Sequence, residues 1–81
     1  MGYCIVCNMP STDSHHVFPG SRRKKSTQYG FVVNLCRAHH NEIHMHPNKG
    51  LDLALKQKCQ EDFEKTHSRE EFIKEFGRSY L

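Results

Sequence analysis

Two short pairs, Cys4 and Cys7 spaced C-x-x-C and Cys36 and His39 spaced C-x-x-H, constrain the fold of this chain more than any other feature. A turn aims two side chains separated by two residues at one ion, and a pair at i, i+3 on the first turn of a helix does the same. Together the pairs supply three thiolates and one imidazole, a closed tetrahedral set suited to structural zinc. The need for such a staple follows from size. An 81-residue chain is one small domain, 1–81, and buries too little apolar surface to rely on its core alone. Two unrelated buried cysteines beside surface polar residues are the plainer alternative, and the presence of both half-motifs in so short a chain favours the zinc site over it. Cys59 stands apart: it falls on the apolar stripe of a helix and reads as a packed free thiol.

Charge is distributed unevenly. Residues 1–50 carry six Lys/Arg against two Asp/Glu, and residues 51–81 carry six against seven. The basic excess therefore sits with the cysteines and most of the histidines, which points to an anionic partner for that half. Apolar residues occur only in short runs, so no transmembrane segment and no membrane partner are expected. Gly2, Tyr3 and Cys4 do not begin a secretory signal. A cytoplasmic setting is the resulting expectation, and there cysteine pairs read as metal ligands before disulfides.

The chain reads as loop, strand, strand, short helix and two further helices. CIVC, residues 4–7, opens as a tight turn. HHVF, residues 15–18, is a short strand ended by Pro19-Gly20, and the basic run with Ser26, Thr27 and Gln28 is expected as a polar loop. YGFVVNLC, residues 29–36, is rich in aromatic and β-branched residues and reads as a second strand. A short helix runs from Arg37 to about His46 and stops at Pro47. Leu51, Leu55, Cys59 and Phe63 recur every four residues as a helical stripe. Ser68 with Glu71 forms a capping box for a last helix whose buried face is Phe72, Ile73 and Phe76, with Gly77 as its C-terminal cap.

The histidines carry a second pattern. His40 and His44 are four apart on the short helix and point the same way, whereas His39 is rotated by about 100 degrees from His40. One helix thus offers Cys36 and His39 to one ion and His40 and His44 to another. The strand bearing His15 and His16 is placed to supply a further ligand. Exposed histidines that merely solvate a helix are the competing reading, weakened by their number and spacing. His46 and His67 read as surface residues.

Here the pattern C-x-x-C … HHVFPG … LCRAHH-x-x-x-H resembles the HNH endonucleases of the His-Me finger superfamily, most nearly the small phage nucleases of the recombination-enhancement type. The resemblance covers Cys4 to about His46. It implies a small α+β fold: a zinc-stapled ββα-metal core over residues 1–47, with residues 48–81 as a helical C-terminal pair. It also implies a bacterial or phage origin. Residue by residue, it makes His15, His40 and His44 ligands of one catalytic divalent metal (magnesium, manganese, nickel or zinc). His16 becomes the general base that activates water, and the products carry a 5′ phosphate. The pattern departs at the middle asparagine, which the resemblance would have orient His16: the usual spacing places Phe31 there, and Asn34 lies nearby but out of register.

Arg22, Arg23, Lys24 and Lys25 follow the histidine pair, where they can contact the phosphates of DNA without reading its sequence. A four-residue charge run is otherwise only a solvated stretch. The expected activity is metal-dependent hydrolysis of DNA phosphodiester bonds. Its rival is a non-catalytic zinc-binding module that grips nucleic acid through the same basic run, but such a module has no use for the second set of histidines. A small interaction protein, pairing with a partner or with its own copy through the C-terminal helices, would explain only residues 51–81.

Overall fold

A computed structural model describes residues 2–11 and 13–81 of the chain. Strand β1 (Asp13–His16) and strand β2 (Val32–Leu35) pair antiparallel, with Asp13 opposite Leu35 and His16 opposite Val32. A single 3-10 turn (Gly20–Arg22) and helix α1 (Arg23–Gln28) lie between them. Helix α2 (Arg37–Met45) follows directly on β2, then α3 (Gly50–Phe63) and α4 (Arg69–Phe76). The two strands and α2 make a ββα core, and the described residues form four α-helices in all.

Ahead of β1 the chain folds into a knuckle. The Cys4 N–H donates to Met9 O at 2.7 Å and the Asn8 N–H donates to Cys4 O at 2.9 Å, closing a turn that holds the two cysteines on one side. The Ile5 N–H reaches Asn34 O at 2.9 Å, and the Ser11 hydroxyl reaches Leu35 O at 3.1 Å, so the knuckle is tied to β2.

The basic run is not a loop. Residues 21–28 contain no Gly or Pro and are rich in Arg, Lys and Gln, which favour helix. The short helix is stopped by Gly30 at φ +75°, the left-handed position where glycine carries no steric cost. This helix takes residues 29–31 out of the expected second strand, which begins only at Val32. The first strand is displaced as well: Val17 and Phe18 leave it and turn fully into the core.

The apolar core takes residues from the whole chain. Phe18, just past the histidine pair, packs against Phe31, Phe72 and Phe76 with ring centroids 5.8, 5.7 and 4.4 Å away. Cys4, Val17, Leu35, Ile43, Leu55, Cys59 and Phe63 complete the cluster. Of the stripe on α3, Leu55, Cys59 and Phe63 are buried and Leu51 partly so, but polar side chains share its face. Asp52 accepts from the Asn48 N–H at 2.7 Å and from Lys56 Nζ at 2.9 Å, while Gln60 donates to Ser79 and accepts from the Tyr80 N–H. Each of these buried polar side chains thus has a partner, as burial demands.

Helix α4 starts at a two-sided capping box of Ser68 and Glu71 and ends at Gly77 in the left-handed conformation. Ile73, expected on its buried face, is instead 40% exposed. Phe72 and Phe76 are one turn apart and face the core together, and Ile73 is rotated away from them. His67 is half-buried rather than on the open surface, with its ring stacked on Phe63 at 4.2 Å.

Candidate functional site

The knuckle and the start of α2 bring Cys4, Cys7, Cys36 and His39 together, one ligand atom from each lying within 4.8 Å of all the others. The Cys7 and Cys36 sulfurs are 3.8 Å apart, and His39 Nδ1 lies 3.6 Å from Cys4 Sγ and 3.2 Å from Cys36 Sγ. A tetrahedral ion with bonds of about 2.3 Å to sulfur and about 2.05 Å to nitrogen requires edges of about 3.8 Å between sulfurs and about 3.6 Å between sulfur and nitrogen. The donor set fits such an ion. Burial opposes ionisation of Cys4, but backbone N–H groups of Cys36, Cys7 and Val6 outweigh it and bring this thiol down to about 6. The His39 backbone N–H likewise lowers Cys36. Cys7 is raised: the Met9 N–H favours its thiolate, but burial and the two neighbouring thiols prevail. Cys59 is buried on α3, away from this group, and burial pushes its thiol up to about 12.

A second group forms where β1 meets α2. Ring nitrogens of His15, His40 and His44 lie within 4.8 Å of one another, with His40 Nε2 and His44 Nε2 3.0 Å apart. His15 is only 6% exposed, and among the described residues its Nε2 is buried without a hydrogen-bond partner. Burial, with His40 beside it, holds its imidazole down at about 4, so at neutral pH it presents a lone pair rather than a charge. An uncharged, unpartnered ring nitrogen facing two other imidazoles suits a divalent cation of borderline softness.

Asp13 extends this group. Its Oδ2 lies 2.9 Å from His40 Nδ1 and 3.4 Å from Arg37 Nε. A carboxylate can only accept there, so His40 holds its proton on Nδ1 and leaves the lone pair on Nε2, the nitrogen that could take a metal. Asp13 and His15 sit two apart on β1 and so share a face, the sequence signal that would have paired this carboxylate with the histidine site.

His16 lies on the other face of β1 from His15, and its Nε2 is 3.0 Å from the Thr27 hydroxyl on α1. It nevertheless borders the same depression of about 280 Å³ as His15, His40, His44 and Arg23, because the chain turns at Pro19 and Gly20 just beyond it. Arg23 also borders an adjoining depression with His16, Lys24 and Thr27. The remaining basic residues are placed differently. Lys25 pairs with Glu75 on α4, whose carboxylate holds the ammonium above its usual range. The Arg22 guanidinium lies against Gly77, where a Cβ would come within 3.2 Å of Nη2. Asn34 sits opposite Ser14 in the register, not opposite His16, and Phe31 is core.

This is a ββα core with two candidate metal-ligand clusters. The chain is 42% identical over 43 residues to YdfU of Escherichia coli (strain K12), a protein described as uncharacterized. The match covers 51% of this chain and 12% of that protein, so the chain spans only a small part of its relative's length. No protein-family model and no solved structure matches the chain. Among the described residues no helix is long and apolar enough to cross a membrane.

Proposed function

We propose that the chain is a metal-dependent DNA endonuclease, with zinc held by Cys4, Cys7, Cys36 and His39 and a catalytic divalent metal held by His15, His40 and His44. The observation that carries this reading is the unpartnered Nε2 of buried His15, beside His40 and His44 in a depression that His16 and Arg23 also border. A cation held there by His15, His40 and His44 would supply charge stabilisation to the departing 3′ oxygen. His16 removes a proton from water as the water oxygen bonds to phosphorus. The bond from phosphorus to the 3′ oxygen breaks, the 3′ oxygen takes up a proton from solvent water to become a hydroxyl, and the 5′ phosphate stays on the other fragment. Arg23 and Lys24, which border the depressions beside His16, contact phosphates of the DNA backbone. Lys25, engaged with Glu75, contributes less.

A second reading has its own support. The cysteine cluster supplies a full tetrahedral donor set, and with Arg23 and Lys24 it suffices for a non-catalytic module that binds nucleic acid. Plasmid nicking with added Mg²⁺, Mn²⁺, Ni²⁺ or Zn²⁺ separates the two. His16→Ala is expected to keep the fold, both metals and DNA binding while losing on the order of 100- to 10,000-fold in cleavage rate. His40→Ala is expected to lose the second metal together with activity. Full nicking by metal-loaded His16→Ala would defeat the catalytic assignment. A wild-type chain that binds DNA and both metals yet nicks with none of the four ions would leave the binding module.

A further inference from the structure

His16 has one hydrogen-bonding side chain against it among the described residues, and it is not an asparagine. Thr27 Oγ1 lies 3.0 Å from His16 Nε2 and 3.2 Å from the carbonyl oxygen of Arg23, one turn earlier on α1. A threonine hydroxyl has a single proton, and the Arg23 carbonyl can only accept. With that proton given to Arg23, as helical threonines commonly give theirs to the preceding turn, the Thr27 oxygen is left to accept from Nε2–H. The reverse arrangement would set the Thr27 and Arg23 oxygens face to face with no proton between them. The chain His16 Nε2–H to Thr27 O–H to Arg23 C=O satisfies all three groups.

From this geometry we infer that Thr27 is the positioning residue for His16: it orients the imidazole and fixes its proton on Nε2, so that Nδ1 carries the lone pair. In a neutral imidazole one nitrogen donates and the other accepts, so committing Nε2 as donor decides the atom that can take a proton. Among the described residues, neither of the two nearest to the asparagine position hydrogen-bonds His16. Asn34 is paired opposite Ser14, and its backbone carbonyl accepts from Ile5. Phe31 is packed on Phe18 and Phe76. Helix α1 thereby brings the orienting hydroxyl and the phosphate-facing Arg23 to His16 on one short element.

The use of the lone pair rests on the endonuclease reading, but the tautomer does not. Histidine labelled with ¹⁵N in the metal-loaded protein, with His16 assigned by loss of its signals in His16→Ala, reports which ring nitrogen carries hydrogen. The wild-type chain and Thr27→Ser are expected to show His16 as the Nε2–H form, and Thr27→Val a mixture of both forms. Nicking by Thr27→Val should fall in kcat by about tenfold or more, with KM for DNA and metal content unchanged, and Thr27→Ser should recover it. An Nδ1–H form in the wild-type chain overturns the inference, as does a Thr27→Val variant with unaltered tautomer and kcat. If the wild-type chain does not nick at all, the endonuclease reading fails and the ¹⁵N signals still decide the role of Thr27.

Discussion

Asp13 shows how one carboxylate sets the chemistry of an imidazole at a distance from any ion. By accepting from His40 Nδ1 at 2.9 Å it selects the tautomer and holds the ring plane. Asp13→Ala is therefore expected to weaken divalent metal binding at the histidine cluster by about 10- to 100-fold, while the cysteine cluster keeps its ion. Calorimetric titration of protein already loaded at the cysteine cluster checks this, and unchanged affinity at the histidines would remove Asp13 from the site. At this scale the two candidate metal-ligand clusters are legible in the sequence, because C-x-x-C, C-x-x-H and H-x-x-x-H bring their side chains together through local turn and helix spacing. Asp13 is half legible, through its alternation with His15. Thr27 is not, since its approach to His16 depends on how α1 packs on β1.

Helix α1 is the element that a reading of composition misplaces. Runs of Lys and Arg read as solvated loop, yet the same side chains are good helix formers when Gly and Pro lie only at the ends. Folding it sorts the four basic residues: Arg23 and Lys24 border the depressions beside His16, whereas Lys25 is drawn to Glu75. Replacing Arg23 and Lys24 by Ser should weaken DNA binding and reduce the slope of log K against log[salt] by about 0.9 for each phosphate that the protein no longer neutralises. Lys25→Ser should change that slope less. Fluorescence anisotropy across a salt series measures both, and equal slopes for all variants would mean that the run is only a solvated face. Helix α4 carries a different electrostatic consequence. The Ser68 N–H donates to Glu71 Oε1 at 3.1 Å and, as the largest cause, holds this carboxyl below its usual value. A carboxyl lowered by folding stabilises the native state above its unfolded pKa, and that contribution is lost as pH falls through the lowered value. Stability should thus decline on acidification below about 4.5 with a component that Glu71→Gln removes, read from thermal melts across an acid pH series.

For the molecule as a whole, the cysteine cluster matters more than its four residues suggest. A closed thiolate site contributes folding free energy on the order of 10 kcal/mol, comparable to the entire stability of a small domain. Cys4→Ser, or removal of the ion by a strong chelator, is therefore expected to unfold the chain, seen as a collapse of the far-ultraviolet circular dichroism signal. A zinc-free chain that stays folded would refute this. The aromatic packing of Phe18 bears on how the chain could be shortened. It lies two residues beyond His16, and its ring rests on Phe76 and Phe72 from the last helix. The cysteine and histidine motifs end near residue 46, so a minimal cassette cut there would look complete on paper. Such a cassette would lose the floor on which the histidine strand turns, together with Glu75, the anchor of α1. The C-terminal helices are the foundation of the histidine pocket rather than its annex.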